Sequence, residues 1–326
     1  MLKLRAHAES WPLSRPFVIS RGRRTEAEVI VATLEGEGSV GRGEATPYSR
    51  YRETPESVRA ELNDASSRLR AGESLERVLE GMRPGAARNA LDCAGWDLRC
   101  KQAGVPIHKM LGWPPLKPLV TAYTISLGAP EAMEAVAREN AHRPILKIKT
   151  GGEAVVESVA AVRRGAPESR LVVDANEAWP EEKTRALLES MAELGVAFIE
   201  QPLPAGRDAL LAEIRRPLPV FADESFHAAA DLAACLGKYD GVNLKLDKTG
   251  GLTGALRALE AAREAGLRAM CGCMLGTSLA AAPAMVLAQR VDFVDIDAPL
   301  LLASDRPGGI HYRGSVMMPF GPELWG

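Results

Sequence analysis

A chain of 326 residues is long enough for one large barrel with a smaller lobe, or for two ordinary domains, and it can bury a sizeable core. Its 46% apolar and 25% charged residues match soluble globular averages and set aside the disordered class; a formal charge of −2, with Lys and Arg scattered, leaves no electrostatic footprint for nucleic acid or an anionic membrane. Five cysteines without a C-x-x-C spacing form neither a disulfide framework nor a zinc site, which fits a reducing cytoplasm.

The amino terminus carries charge at Lys3 and Arg5 and leads into no apolar run, so no signal peptide is expected. Alternation over 28–34 predicts a strand, and helical patterns follow near 55–70 and 84–103, so residues 1–118 read as a separate α+β lobe. From residue 119 the pattern changes. Short apolar runs at 120–126, 145–149, 171–174, 197–200, 220–223, 242–245, 269–271 and 293–295 predict eight strands. Helical candidates lie between them near 130–141, 153–165, 181–194, 207–214, 228–236, 252–265 and 277–288, with Pro130 and Pro180 where a first turn tolerates proline. Eight βα-spaced strands, with no G-x-G-x-x-G after the first, predict a closed α/β barrel over 119–302, and the tail 303–326 is expected to return to the first lobe. The uncharged stretch 269–289 is long enough to span a bilayer, but its Gly, Thr, Ser and Pro residues make it a buried strand, a loop and a buried helix.

In such barrels chemistry collects where strands end. Asp174, Glu200 and Asp223 close three consecutive predicted strands at separations of 26 and 23 residues, one βα unit each, so they converge on one rim. Taken singly, each could cap the next helix or pair with a surface cation. Together they would repel and raise one another's pKa, and a hard divalent cation with oxygen ligands, Mg²⁺ or the similar Mn²⁺, resolves the conflict. Lys147 and Lys149 lie two apart on a strand and share a face about 6–7 Å apart. Each is expected to lower the other's proton affinity, as a general base requires. Lys245 enters from the opposite side of the mouth, so a carbon between Lys149 and Lys245 would see an amine on each face, an arrangement suited to inversion. The alternative is lysines whose heads merely reach solvent.

The sequences Lys-Ile-Lys (147–149), Asp-Ala-Asn (174–176), Glu-Gln-Pro (200–202), Ala-Asp-Glu-Ser (222–225) and Lys-Leu-Asp-Lys-Thr-Gly-Gly (245–251) together resemble the enolase superfamily, in its muconate-lactonizing subgroup. A lysine base with Mg²⁺ is a known arrangement of that superfamily rather than a deduction from spacing. Stretches at 11–13, 16–19, 21–22, 46–48, 87–92, 245–252, 272–275 and 295–297 extend the resemblance over nearly the whole chain, toward the dipeptide epimerases that act on L-Ala-D/L-Glu. The resemblance implies a (β/α)7β barrel under an α+β cap, metal ligands Asp174, Glu200 and Asp223, and an acid/base pair Lys149 and Lys245, with Lys147 tuning Lys149 and contacting the substrate carboxylate. It further implies Asp295 and Asp297 as a clamp for a dipeptide ammonium, Thr124 and Cys273 as substrate contacts, and Arg24 as partner of a glutamate side chain. Arg21 and Arg23 stand close enough for that last assignment to shift, and Cys273 also reads as a small buried residue. Turnover of cell-wall peptides is the setting the resemblance suggests. The sequence is compatible with a homo-oligomer and sets no oligomeric state.

Lys248-Thr249-Gly250 imitates a penicillin-binding motif, but no S-x-x-K accompanies it, and the five histidines form no H-E-x-x-H. Two rival readings use the same residues. One is a superfamily lyase or cycloisomerase such as o-succinylbenzoate synthase, whose dianionic ring substrate Asp295 and Asp297 would repel. The other is a barrel that binds an acidic ligand without catalysis.

Overall fold

The computed structural model describes residues 2–326. Strands β1 (Lys3–Ile19), β2 (Gly22–Gly36) and β3 (Ser39–Ala45) form an antiparallel sheet, backed by helices α1 (Pro55–Arg70), α2 (Leu75–Glu80) and α3 (Ala86–Ala103). Alternation along β2 serves two bodies at once. Ile30, Ala32 and Leu34 enter a small core shared with the helices, while Ala27, Val29 and Val31 face the main core. Gly41 and Gly43 allow α3 to lie directly on β3, since a Cβ at either would stand 2.1 Å from a carbonyl oxygen of Ala94 or Ala90. Thr54 starts α1 with a reciprocal cap: its hydroxyl accepts from Ser57 N and its own N–H donates to Ser57 Oγ.

After β4 (Leu119–Val120) come eight parallel strands whose spatial order equals their chain order. They are β5 (Tyr123–Ile125), β6 (Ile145–Lys149), β7 (Arg170–Asp174), β8 (Val196–Glu200), β9 (Val220–Ala222), β10 (Gly241–Leu244), β11 (Arg268–Gly272) and β12 (Phe293–Asp295). The ring closes where Ala122 N donates to Val294 O at 3.0 Å and Ile296 N donates to Thr121 Oγ at 2.7 Å. Helical segments fill all seven connections, giving a (β/α)7β barrel beside the α+β lobe. The predicted segment 120–126 is two strands instead of one. Leu119–Val120 pairs with β14 (Val316–Met317), itself paired with β13 (Tyr312–Arg313), and only the next residues enter the barrel. The reason is the closure just described: Thr121 N still donates to Ser315 O, but Thr121 Oγ and Ala122 N hand the chain across to β12. Two helices are also shorter than expected: Leu210–Glu213 replaces 207–214, and 228–236 is a 3-10 turn followed by Leu232–Cys235.

Residues 269–289 form β11, a loop and the helix Ser278–Ala288, buried on nearly every side, and among the described residues no helix is long and apolar enough to cross a membrane. Beyond β14 the tail reaches back to α3. Trp325 is buried there and donates its indole N–H to Cys93 O, and Gly326 N donates to Asp97.

Period-two alternation places a floor inside the barrel. Val172, Phe198, Phe221, Met270 and Phe293 point inward near the strands' amino ends, with ring centroids 4.6 Å apart for Phe198–Phe221 and 4.7 Å for Phe198–Phe293. The Arg170 guanidinium covers Phe293 from below, 4.7 Å from its centroid. Gly241 makes room for this layer, because a Cβ there would stand 2.3 Å from the Phe221 ring. Two residues further along, the inward positions turn ionic at Asp174, Glu200, Asp223 and Asp295, while β11 places Gly272 there.

Candidate active site

The layer above the floor is made of Lys147, Asp174, Glu200, Asp223, Asn243 and Asp295, all buried. Register places Lys149 opposite Asp174 and Asp174 opposite Glu200, which joins three neighbouring strands at their carboxyl ends. Lys149 Nζ donates to Asp174 Oδ2 at 2.6 Å. Lys147 Nζ donates to Asp295 Oδ2 at 2.7 Å and lies 3.1 Å from Asp174 Oδ2. It also lies 2.7 Å from Glu200 Oε2, off the hydrogen-bonding direction, so Glu200 Oε2 has a charge beside it but no donor. Across the barrel Lys245 Nζ donates to Asp223 Oδ2 at 2.7 Å, and Lys248 Nζ donates to Asp223 Oδ1 at 2.6 Å.

These contacts revise one expectation. Lys147 does not have its proton affinity lowered: burial pushes its pKa down, but Asp295, Glu200 and Asp174 together carry it well above the ordinary range. Lys245 is likewise raised, with Asp223 and Glu200 overcoming burial. Asp174 and Asp223 are held below the usual carboxylate range, because their lysine partners outweigh burial. Glu200 goes the other way, pushed up to about 7 by burial and by Asp174.

The three acids at the ends of consecutive strands share one rim, but among the described residues no three acidic, histidine or cysteine groups close into a metal-holding cluster. Lysine ammoniums pair with the carboxylates instead. The donor set nevertheless fits a hard dication. It is all carboxylate, its middle member carries a buried oxygen that accepts no hydrogen bond, and burial first and the Asp174 charge second raise that member's pKa, a cost that a dication beside it would offset.

Above the ionic layer opens a cavity of 390 Å³. Lys147, Lys149, Lys245, Thr124, Asp223, Cys273, Asp295 and Asp297 line it from the barrel, and Phe17, Ile19, Arg21, Arg23, Arg24, Tyr48 and Tyr51 line it from the cap. Asp174 and Glu200 lie beneath. Asp297 accepts the Thr124 backbone N–H at 2.7 Å, and burial together with Asp295 raises its pKa to about 6. Asp295 Oδ1 is buried without a donor, so the wall carrying the two aspartates has an acceptor free for a cationic group. The three arginines separate clearly. Arg21 is consumed by Glu224 at 2.7 Å, Tyr48 at 2.9 Å and Asn176 O at 2.8 Å. Arg23 is exposed, and Arg24 lies over the Tyr48 ring, 5.5 Å from its centroid, with no carboxylate partner among the described residues.

Three participants escaped the sequence reading. Asn243 donates its amide to Glu200 Oε1 at 2.7 Å, and Lys248 pins Asp223 while also donating to the backbone O of Asn243. Glu224 receives Arg21. Position offered a signal for the first: Asn243 precedes Lys245 by two and shares its inward face. Gly272 belongs with them, because a Cβ there would press on the Asn243 amide at 2.6 Å and on Lys245 Cε at 3.0 Å.

Fold and site together define a capped (β/α)7β-barrel enzyme whose mouth sets lysines against carboxylates. The family model described as "Enolase C-terminal domain-like" matches residues 130–304, and "Mandelate racemase / muconate lactonizing enzyme, N-terminal domain" matches 1–112. The L-Ala-D/L-Glu epimerase of Escherichia coli (strain K12) is 43% identical over 94% of this chain and 96% of its own. An enolase family member from Agrobacterium tumefaciens with homology to dipeptide epimerases, solved with sodium and L-Ala-L-Glu bound, is 48% identical, covers both chains fully and superposes with a TM-score of 0.97. The dipeptide epimerase of Enterococcus faecalis V583, solved with Mg and L-Leu-L-Tyr, is 26% identical over 98% of this chain and 97% of its own, with a TM-score of 0.89. The chain belongs to the enolase superfamily, in the mandelate racemase and muconate lactonizing enzyme group.

Proposed function

We propose that this chain is a Mg²⁺-dependent dipeptide epimerase that inverts the α-carbon of the C-terminal residue, with L-Ala-D/L-Glu favoured. The observation that carries the reading is that Lys149 and Lys245, at the ends of strands half a barrel apart, line one cavity that also holds an acidic wall and two arginines, Arg23 and Arg24, without a carboxylate partner among the described residues. A dipeptide matches that polarity. Its ammonium suits Asp295 and Asp297, its α-carboxylate suits Lys147 and the dication that Asp174, Glu200 and Asp223 would hold, and a glutamate side chain suits Arg24. The two aspartates disfavour the dianionic ring substrate of a lyase.

In this reading Lys149 takes the α-proton from one face and Lys245 delivers a proton to the other through a planar enediolate, the roles exchanging in reverse. Lys147 holds the carboxylate as its charge grows. Asp223, itself pinned by Lys248, fixes the Lys245 ammonium, and Gly272 leaves that side chain room to swing. Asp174, Glu200 and Asp223 would hold Mg²⁺, which when bound supplies positive charge against the developing enediolate. Residues 1–118 with the returning tail would serve as the cap over a barrel spanning 119–302. Five free cysteines agree with a cytoplasmic setting, where turnover of cell-wall peptides would supply the dipeptide.

The test is Lys149→Gln and Lys245→Gln assayed with L-Ala-L-Glu in ²H₂O. Each should lose epimerisation by about 10³-fold, while each retains α-hydrogen exchange of only one epimer, opposite in the two variants. Undiminished epimerisation in both would overturn the assignment.

A further inference from the structure

Directly after Asp174 the barrel makes a turn with two non-glycine residues in the left-handed region, Asn176 at φ 44° and Glu177 at φ 68°. Such a turn persists only where its surroundings hold it. Four of its contacts belong to the barrel: Asn176 N donates to Asp174 Oδ1 at 2.9 Å, Asn176 Nδ2 to Glu224 Oε1 at 3.4 Å, Glu177 N to Gln201 O at 2.9 Å, and Ala205 N to Glu177 Oε1 at 2.8 Å. The rest come from the cap. Arg50 grips Glu177 with two parallel bonds, Nε to Oε2 and Nη2 to Oε1, both 2.7 Å. Arg21, in the turn between β1 and β2, reaches the same Oε2 at 3.2 Å, and donates to Asn176 O together with Ser20.

Two cap segments thus meet on one barrel carboxylate whose side chain is 9% exposed. Glu177 does not line the cavity, but both segments it receives do: Arg21 and Arg24 on one side, Tyr48 and Tyr51 on the other. The segments also touch each other, since Arg21 donates to the Tyr48 hydroxyl and Arg24 stacks on the Tyr48 ring. Without Glu177, Arg21 keeps Glu224, whereas Arg50 is left with no carboxylate partner among the described residues.

We propose that Glu177 is a positioning residue that docks both cap segments onto the barrel rim and so holds Tyr48 and Arg24 against the substrate side chain. Its consequence for turnover rests on the epimerase reading; its consequence for the cap does not. Losing uniform binding contacts raises KM and spares kcat, whereas disturbing the turn beside Asp174 would lower kcat.

The test uses the full chain with Mg²⁺ and three variants, Glu177→Gln, Arg50→Gln and the double substitution. Arg50→Gln leaves every barrel contact of the turn in place, so it remains informative even where a change at Glu177 prevents folding. Expected is a rise of about tenfold in KM for L-Ala-L-Glu in each single variant, with kcat within about threefold and the double variant no worse than Glu177→Gln alone. Trypsin should also cleave the 21–24 and Arg52 segments several-fold faster in the intact variants. A loss of kcat at constant KM in Glu177→Gln, or Arg50→Gln behaving as wild type in both assays, would overturn the proposal. If the wild-type chain epimerises no dipeptide, the epimerase reading fails while the cleavage rates still decide the docking role.

Discussion

Replacing Asp247 with Asn should make the protein more stable, by an amount that grows with pH. Asp247 lies buried in the turn Leu246–Thr249 that follows the Lys245 strand, and its Oδ1 accepts from Thr46 N at 2.9 Å and from the Asn89 amide at 3.0 Å. Burial pushes its pKa up from 3.8 to about 7 despite those two donors. The folded protein therefore binds a proton through this window that the unfolded chain has released, so stability falls as pH rises from about 4 to about 7. The penalty is absent below the unfolded value and complete above the folded one, where it reaches ~4 kcal/mol. Asn keeps the accepting Oδ1 and carries no charge. Between pH 5 and pH 8 the variant's advantage should widen by about 2.5 kcal/mol, or roughly 5 °C in melting temperature for a chain of this size. Thermal melts of both proteins at matched ionic strength measure that gap directly. A gap that stays flat or narrows toward pH 8 would refute the burial argument.

Arg24→Ala should raise KM for L-Ala-L-Glu by about 10–100-fold while changing L-Ala-L-Leu little, since only the former offers a side-chain carboxylate; equal losses would remove Arg24 from specificity. Gly241→Ala should destabilise by about 1–3 kcal/mol through collision with Phe221, and an unchanged melting temperature would show that the floor repacks freely. Dialysis against a chelator should abolish epimerisation and added Mg²⁺ or Mn²⁺ should restore it; full activity in chelator would remove the metal from the reaction.

Much of the barrel was readable because the inward positions of four strands change character at the same height. Val172 gives way to Asp174, Phe198 to Glu200, Phe221 to Asp223 and Phe293 to Asp295, and that step from apolar to charged marks a strand end without any alignment. What was not readable depends on partners far along the chain. Lys147 was expected to have its proton affinity lowered by Lys149, two residues away, but Asp295, 148 residues away, helps to set it. Neighbouring arginines at 21, 23 and 24 are chemically alike in sequence; only the placement of Glu224 and Tyr48 decides which one is spent and which is free. The split of 120–126 likewise follows from a hydrogen bond to Val294 that no local pattern encodes.

The phenylalanine layer closes one end of the barrel, so the reaction chamber is a blind well. Water and hydrogen ions would then exchange through its upper opening. In the epimerase reading a hydrogen lifted from substrate by Lys149 or Lys245 leaves by that opening, and the isotopic make-up of the product reports how fast solvent reaches the lysines. Comparing label washed in from solvent with label carried over from substrate would time that exchange against the chemistry, in a barrel whose floor is apolar.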